Sequence, residues 1–176
     1  MPTGLQRYYG KGDLHFVTFS CYRRLPLLAS ERARNLFVKE LARVRAEYGF
    51  RLIGYVVMLN HVHLLMSEPK KGTPSTVMQM LKQRVSRKMR KRTKRISGQR
   101  EFQFDEDGLE LKSFWQERFY DFNVYKRGRI KEKLNYMHAN PVIRGLVEHP
   151  HNWPWSSWSS YMKGERGLVE IDPVEF

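Results

Sequence analysis

One ten-residue stretch constrains this chain more than any other: Val56-Val57-Met58-Leu59-Asn60-His61-Val62-His63-Leu64-Leu65. Apolar runs on either side of Leu59-Asn60 predict two buried strands, Arg51 to Met58 and His61 to Met66, paired as a hairpin. Side chains at i and i+2 of a strand share a face. His61 and His63 therefore point one way, and Val62 and Leu64 the other. Two imidazoles side by side on a rigid strand form half of a divalent-metal site. A hydrogen-bonded pair of core histidines is the plainer reading of the same pattern.

The rest of the chain bears on that choice. Its 176 residues favour one domain spanning 1–176, with a substantial core. Lys and Arg number 32 against 18 Asp and Glu, a formal charge of +14. Such a surplus implies a polyanionic partner, most simply nucleic acid. No apolar run approaches the ~20 residues of a membrane span, and no signal peptide is evident. The single cysteine, Cys21, excludes an intrachain disulfide and suits the cytoplasm.

Leu14 to Cys21 predicts the first strand, with His15 its lone histidine. Ser30 caps a helix that runs to Tyr48 and ends at Gly49. A second helix opens at Ser75, with Val77, Met78, Leu81 and Val85 on its apolar side. Its polar side carries Lys82, Arg84, Arg87, Lys88, Arg90 and Lys91, with no acid between Pro74 and Arg100. Such a run is either a solvated face or a row of phosphate contacts, and the single sign favours phosphate. Residues 96–112 shift in composition and predict a surface insertion turning at Asp107-Gly108. The aromatic stretch from Phe114 to Tyr125 should contain the fourth strand. Arg127 to Ala139 is then a helix stopped by Asn140-Pro141. The first six elements give the βαββαβ order of a ferredoxin-like antiparallel sheet, an α+β fold. Two helices cover one face, and the helix from Arg127 is the candidate for the other. Trp153, Trp155 and Trp158 serve as core or as base-stacking groups.

The helix from Arg127 offers what two histidines lack. Ile130, Leu134 and Met137 form its buried stripe. Tyr136 and Asn140 stack on a neighbouring face with Arg129 and Lys133. Asn140 can lend its carbonyl oxygen to a hard divalent ion. Tyr136 can act as a nucleophile. Tyr120, beside Asp121, is its rival, but it falls on the predicted strand.

Four motifs occur in order: Leu59-Asn60-His61-Val62-His63-Leu64-Leu65, Phe114-Trp115-Gln116, Tyr136-Met137-His138-Ala139-Asn140-Pro141-Val142 and Trp153-Pro154-Trp155-Ser156-Ser157. With this set the chain resembles the REP-associated tyrosine transposases. These are relatives of the single-tyrosine insertion-sequence transposases, within the wider class of His-hydrophobic-His (HUH) nucleases. The resemblance covers nearly the whole chain. It implies a metal held by His61, His63 and Asn140, and Tyr136 as nucleophile. It also implies substrates among single-stranded DNA and short palindromic hairpins. Leu59 stands where relatives often have proline, and the 96–112 segment is longer than in compact relatives.

The combined expectation is a metal-dependent single-stranded DNA transesterase with a 5′-phosphotyrosine intermediate. It uses Mg²⁺ or Mn²⁺ and no nucleotide cofactor, in keeping with the lack of a Walker P-loop. Lys82, Arg84, Arg87, Lys88, Arg90 and Lys91 would hold the DNA backbone, and Arg129 and Lys133 phosphates nearer the tyrosine. The expected setting is cytoplasmic and nucleoid-associated, with monomer and homodimer equally open. Two other classes stand beside this reading: a hairpin-binding module without chemistry, and a metal-dependent nuclease that uses water.

Overall fold

The structure is a computed structural model that describes residues 8–97 and 113–175, with the side chains of 91–97 outside the description. Four antiparallel strands form one sheet. They are β1 (Leu14–Ser20), β2 (Leu52–Val57), β3 (His61–Ser67) and β4 (Tyr120–Val124), in the order β2-β3-β1-β4. Helices α1 (Glu31–Tyr48) and α2 (Pro74–Ser97) pack together, while α3 (Arg127–Ile143) packs on β2 and β3. The fold is α+β, with these six leading elements in the expected βαββαβ order.

Alternation along β1 separates the two faces. Val17 and Phe19 are buried on one side, where Phe19 meets Phe37 of α1 at 6.0 Å and Trp115 at 5.1 Å. Trp115 donates its indole N–H to the Lys82 carbonyl of α2. Phe16 and Thr18 face the other way, toward α3, and Phe16 lies 6.2 Å from the Tyr136 ring. Pairing sets Thr18 opposite His63 and Ser20 opposite His61, which puts both histidines on the α3 side.

Local chemistry places the helix ends. Ser30 accepts the Ala33 N–H at 3.1 Å to cap α1, and Gly49 closes it at φ 67°. The expected stop of α3 before Asn140-Pro141 is corrected: the helix runs to Ile143, with Pro141 inside it. Pro141 has no N–H to offer the Met137 carbonyl, but the turn continues through Arg144 N–H to the Asn140 carbonyl. The end comes at Gly145, φ 67°, where Gly145 N–H reaches the Val142 carbonyl and Leu146 N–H the Pro141 carbonyl. That is a Schellman motif, and it needs the left-handed residue that glycine supplies. Asn140 is therefore a buried helical residue and not a cap.

The C-terminal segment fastens the outer edge of β2. Val57 N–H donates to the Trp155 carbonyl and Ser157 N–H to the Tyr55 carbonyl. A β-edge covered in this way has no row of open backbone groups. Trp153 and Trp155 are buried, and the Arg34 guanidinium lies 3.9 Å from the Trp155 ring centre. These two tryptophans are core; Trp158 is half-buried beside His151. The predicted insertion at 96–112 lies outside the described residues, except for Ile96 and Ser97 at the end of α2. No described helix is long and apolar enough to cross a membrane.

Candidate active site

Gly54 lets α3 approach the sheet closely enough to bring Tyr136 and Asn140 over the histidines. A Cβ at position 54 would lie 2.5 Å from Leu134 Cδ2 and 3.0 Å from Met137 Cε. With that contact in place, the Tyr136 ring stands 5.3 Å from the His63 ring, and the His61 and His63 rings are 4.9 Å apart. Asn140 Nδ2 lies 3.5 Å from His63 Nε2. Tyr136 is 46% exposed, while His61, His63 and Asn140 are buried. The structure thus brings together all four residues expected at the centre.

Each imidazole is held from behind. Asn60 Oδ1 lies 2.7 Å from His61 Nδ1, and Thr18 Oγ1 2.7 Å from His63 Nδ1. A carbonyl oxygen only accepts, so His61 carries its proton on Nδ1 and keeps a lone pair on Nε2. The amide of Asn60 is itself oriented, because Nδ2 donates to the Arg24 carbonyl at 3.0 Å. Partners of this kind set the tautomer and direction of metal-binding histidines.

The electrostatics keep both rings neutral. Burial pushes His61 down to about 4, helped by the Arg144 and Arg24 charges. His63 is pushed down to about 3 by burial, then by His61, Arg144 and Lys133. Neutral imidazoles are the form that coordinates a metal. Asn140 Oδ1 is buried with no hydrogen-bond partner among the described residues. An orphaned carbonyl oxygen beside two neutral imidazoles fits a divalent cation that takes oxygen and nitrogen donors. Among the described residues no group of three His, Cys, Asp or Glu is placed to hold a metal; this set has two histidines and an amide.

The cations divide into two groups. Lys133 lies on the tyrosine side of α3, 5.0 Å from the Phe16 ring centre, and Arg129 is paired with Glu132 at 2.8 Å. The α2 residues stand across the sheet from the histidines. Lys82 donates to the Gln116 and Glu117 carbonyls, Arg84 pairs with Glu47 at 2.6 Å, and Lys88 pairs with Glu40. Arg87 and Arg90 are exposed, and the Lys91 side chain lies outside the description. Among the described residues, the α2 row therefore lies on the opposite face of the sheet from the histidine pair.

Sequence reasoning passed over Thr18 and Asn60, which orient the imidazoles. Asn60 had a signal, its place next to His61; Thr18 had only its strand parity. His15 faces away from the pair and is bound to Asp121 at 2.8 Å. Tyr120, the rival tyrosine, is half-buried on β4 against the core. His138 is buried and shares a 2.9 Å hydrogen bond with Ser157, away from Tyr136.

Comparison with known proteins places the chain in a family and matches its fold. The sequence model of the family described as "Transposase IS200 like" matches residues 9–140. A REP-associated tyrosine transposase of Escherichia coli K12 is 24% identical over 95% of this chain and 88% of its own. A Haemophilus influenzae protein provisionally given the same designation is 26% identical over 91% of this chain and 88% of its own. A solved structure, described as a REP-associated tyrosine transposase bound to a REP hairpin, superposes with a TM-score of 0.69 at 22% identity. It covers 99% of this chain and 95% of that one, and it shares the fold.

Proposed function

This chain belongs to the IS200-like transposase family, and from that premise we propose that it cleaves and rejoins single-stranded DNA at hairpin or palindromic repeats, with Tyr136 as nucleophile. The observation that carries the reading is the half-exposed Tyr136 phenol on α3, directly over a neutral, back-oriented pair of histidines. The hairpin-bound relative supports the choice of DNA.

In this reading His61 Nε2, His63 Nε2 and Asn140 Oδ1 would hold a divalent ion, Mg²⁺ or Mn²⁺, which would supply Lewis-acid polarisation of a non-bridging phosphate oxygen. The protein supplies the rest. Asn60 keeps the His61 lone pair on Nε2, and Thr18 holds the His63 ring through Nδ1. Lys133 offsets charge on a phosphate beside the tyrosine. Tyr136 Oη bonds to phosphorus as the phosphorus–O3′ bond breaks. The phenolic proton leaves to water, and the 3′-oxygen takes one up. A 5′-phosphotyrosine and a free 3′-OH result, and the reverse step rejoins strands without ATP. Exposure of Tyr136 gives both the strand and the proton their route.

Labelled hairpin DNAs that flank the gene, mixed with protein and Mg²⁺ or Mn²⁺, test this on a denaturing gel. Cleavage with a covalent protein–DNA band is the expected result. Cleavage without that band would transfer the chemistry to water, and tight binding without cleavage would leave a binding module.

A further inference from the structure

Two arginines by the histidine pair have no role in the mechanism above. Arg24 ends a 3-10 turn, Tyr22–Arg24, in which Arg23 has φ 51° and Arg24 φ 57°. Left-handed backbone is disfavoured for any residue with a Cβ. Among the described residues no other non-glycine residue has positive φ. Strained residues persist where surrounding bonds fix them, and they concentrate at functional sites. Here Arg24 N–H donates to the Cys21 carbonyl at 3.0 Å, and the Arg24 carbonyl accepts from Asn60, the residue that orients His61. Arg144 lies four residues after Asn140 and ends the same helix, its N–H on the Asn140 carbonyl.

Both side chains are exposed, and neither has a carboxylate partner among the described residues. In this they differ from Arg84, Lys88 and Arg129, which are paired with glutamates.

Their position along the site is ordered. Lys133, Tyr136, Asn140 and Arg144 form one stripe of α3, about 16 Å long at 1.5 Å per residue. Lys133 sits over Phe16 of β1, and Asn140 against His63, which pairs with Thr18. Arg24 lies beyond Ser20, where β1 ends opposite His61. The centre therefore has Lys133 and Tyr136 at one pole and Arg144 and Arg24 at the other. In phosphoryl transfer the attacking and leaving oxygens are in line. A phenol attacking from the Lys133 pole expels the 3′-oxygen toward the arginine pole.

We infer that Arg24 and Arg144 form a phosphate subsite for the departing strand, holding the phosphate immediately 5′ to the scissile one. Guanidinium forks suit phosphate oxygens in this role. The subsite keeps the free 3′-OH close to the phosphotyrosine, so that rejoining competes with escape. The inference rests on the transesterase reading.

Binding of a labelled hairpin DNA with a single-stranded flank tests it, measured by anisotropy between 50 and 200 mM salt in the Tyr136→Phe background. Arg24→Gly removes the guanidinium and keeps a backbone that glycine adopts freely, and Arg144→Ala trims an exposed side chain. The double variant should lower the slope of log affinity on log salt by about 0.7, the value for one lost single-strand phosphate contact. A methylphosphonate at the phosphate 5′ to the cleavage position should weaken binding by the parent and not by the double variant. An unchanged slope, or a methylphosphonate effect that persists in the double variant or moves to the 3′ side, overturns the subsite. If the wild-type protein still forms the covalent adduct in that case, the subsite alone has failed. If the wild-type protein binds no hairpin DNA, the transesterase reading fails with it.

Discussion

Gly54→Ala should damage both the fold and the reaction through one contact. The added Cβ meets Leu134 Cδ2 at 2.5 Å, Met137 Cε at 3.0 Å and Ser157 Oγ at 3.2 Å. The first two are ends of flexible side chains, but both residues are buried, at 3% and 0% exposure, with little room to turn. Ser157 Oγ is tied to His138 Nε2 and accepts from Tyr55 N–H. The helix must therefore move outward. Overpacking of this kind costs about 1–3 kcal/mol. For a chain of this size each 1 kcal/mol lowers Tm by about 2–4 °C, so a fall of about 2–12 °C is expected in a circular-dichroism melt. Tyr136 and Asn140 ride on the same helix as Leu134 and Met137. A shift of about 1 Å at reacting groups can cost about 100-fold in rate, so the rate of DNA–protein adduct formation should drop well beyond the loss of folded protein at assay temperature. Leu134→Val in the Gly54→Ala background removes the clashing atom and should restore much of both. Gly54→Ala with unchanged Tm and unchanged adduct rate would refute the claim that this glycine sets the distance between α3 and the histidines.

Asn60→Ala should weaken Mn²⁺ binding about 10–100-fold by calorimetry, the usual cost of losing an outer partner of a metal-binding histidine; Asn60→Asp keeps the acceptor for His61 and should lose less. The metal-free protein should lose stability as pH falls through about 6.5 toward 4. Burial holds His61 and His138 near about 4 and His63 near about 3 against 6.5 unfolded, so the unfolded chain takes up protons first. His15 acts oppositely: burial lowers it, but Asp121 and then Glu68 raise it further, so its contribution is present below pH 6.5 and is lost as pH rises through its folded value. Urea melts across this range, compared with His138→Gln and His15→Gln, check both directions. Arg34→Met should destabilise by about 1–3 kcal/mol, because the Leu28 and Ala29 carbonyls lose a buried donor, with the loss read as a lower urea midpoint.

Much of the centre was legible because strand parity and helical spacing are local rules. His61 and His63 share a face by period two, and Tyr136 and Asn140 share one by period four. The Ser30 cap and the Gly49 stop were likewise written in single residues. What local rules could not supply was tertiary. Pro141 reads as a stop, yet burial and the Schellman turn at Gly145 carry the helix past it. The α2 cations read as a bare row, but acids far off in sequence, Glu40 and Glu47, neutralise two of them. Thr18 and Arg24 carry no motif; their places depend on register and on a left-handed turn without glycine. The Trp153-to-Ser157 run gave no strand signal, since it pairs with the β2 edge by a few backbone bonds.

The central claim is that Tyr136 bonds covalently to DNA beside a metal held by His61, His63 and Asn140. Its most direct test is the denaturing-gel adduct assay on the gene-flanking hairpins, run in parallel with Tyr136→Phe, His61→Ala and EDTA. The account predicts a 5′-linked protein–DNA band that all three abolish, while Tyr136→Phe still binds the hairpin. An adduct that survives Tyr136→Phe, or cleavage that persists in that variant without any adduct, would contradict it.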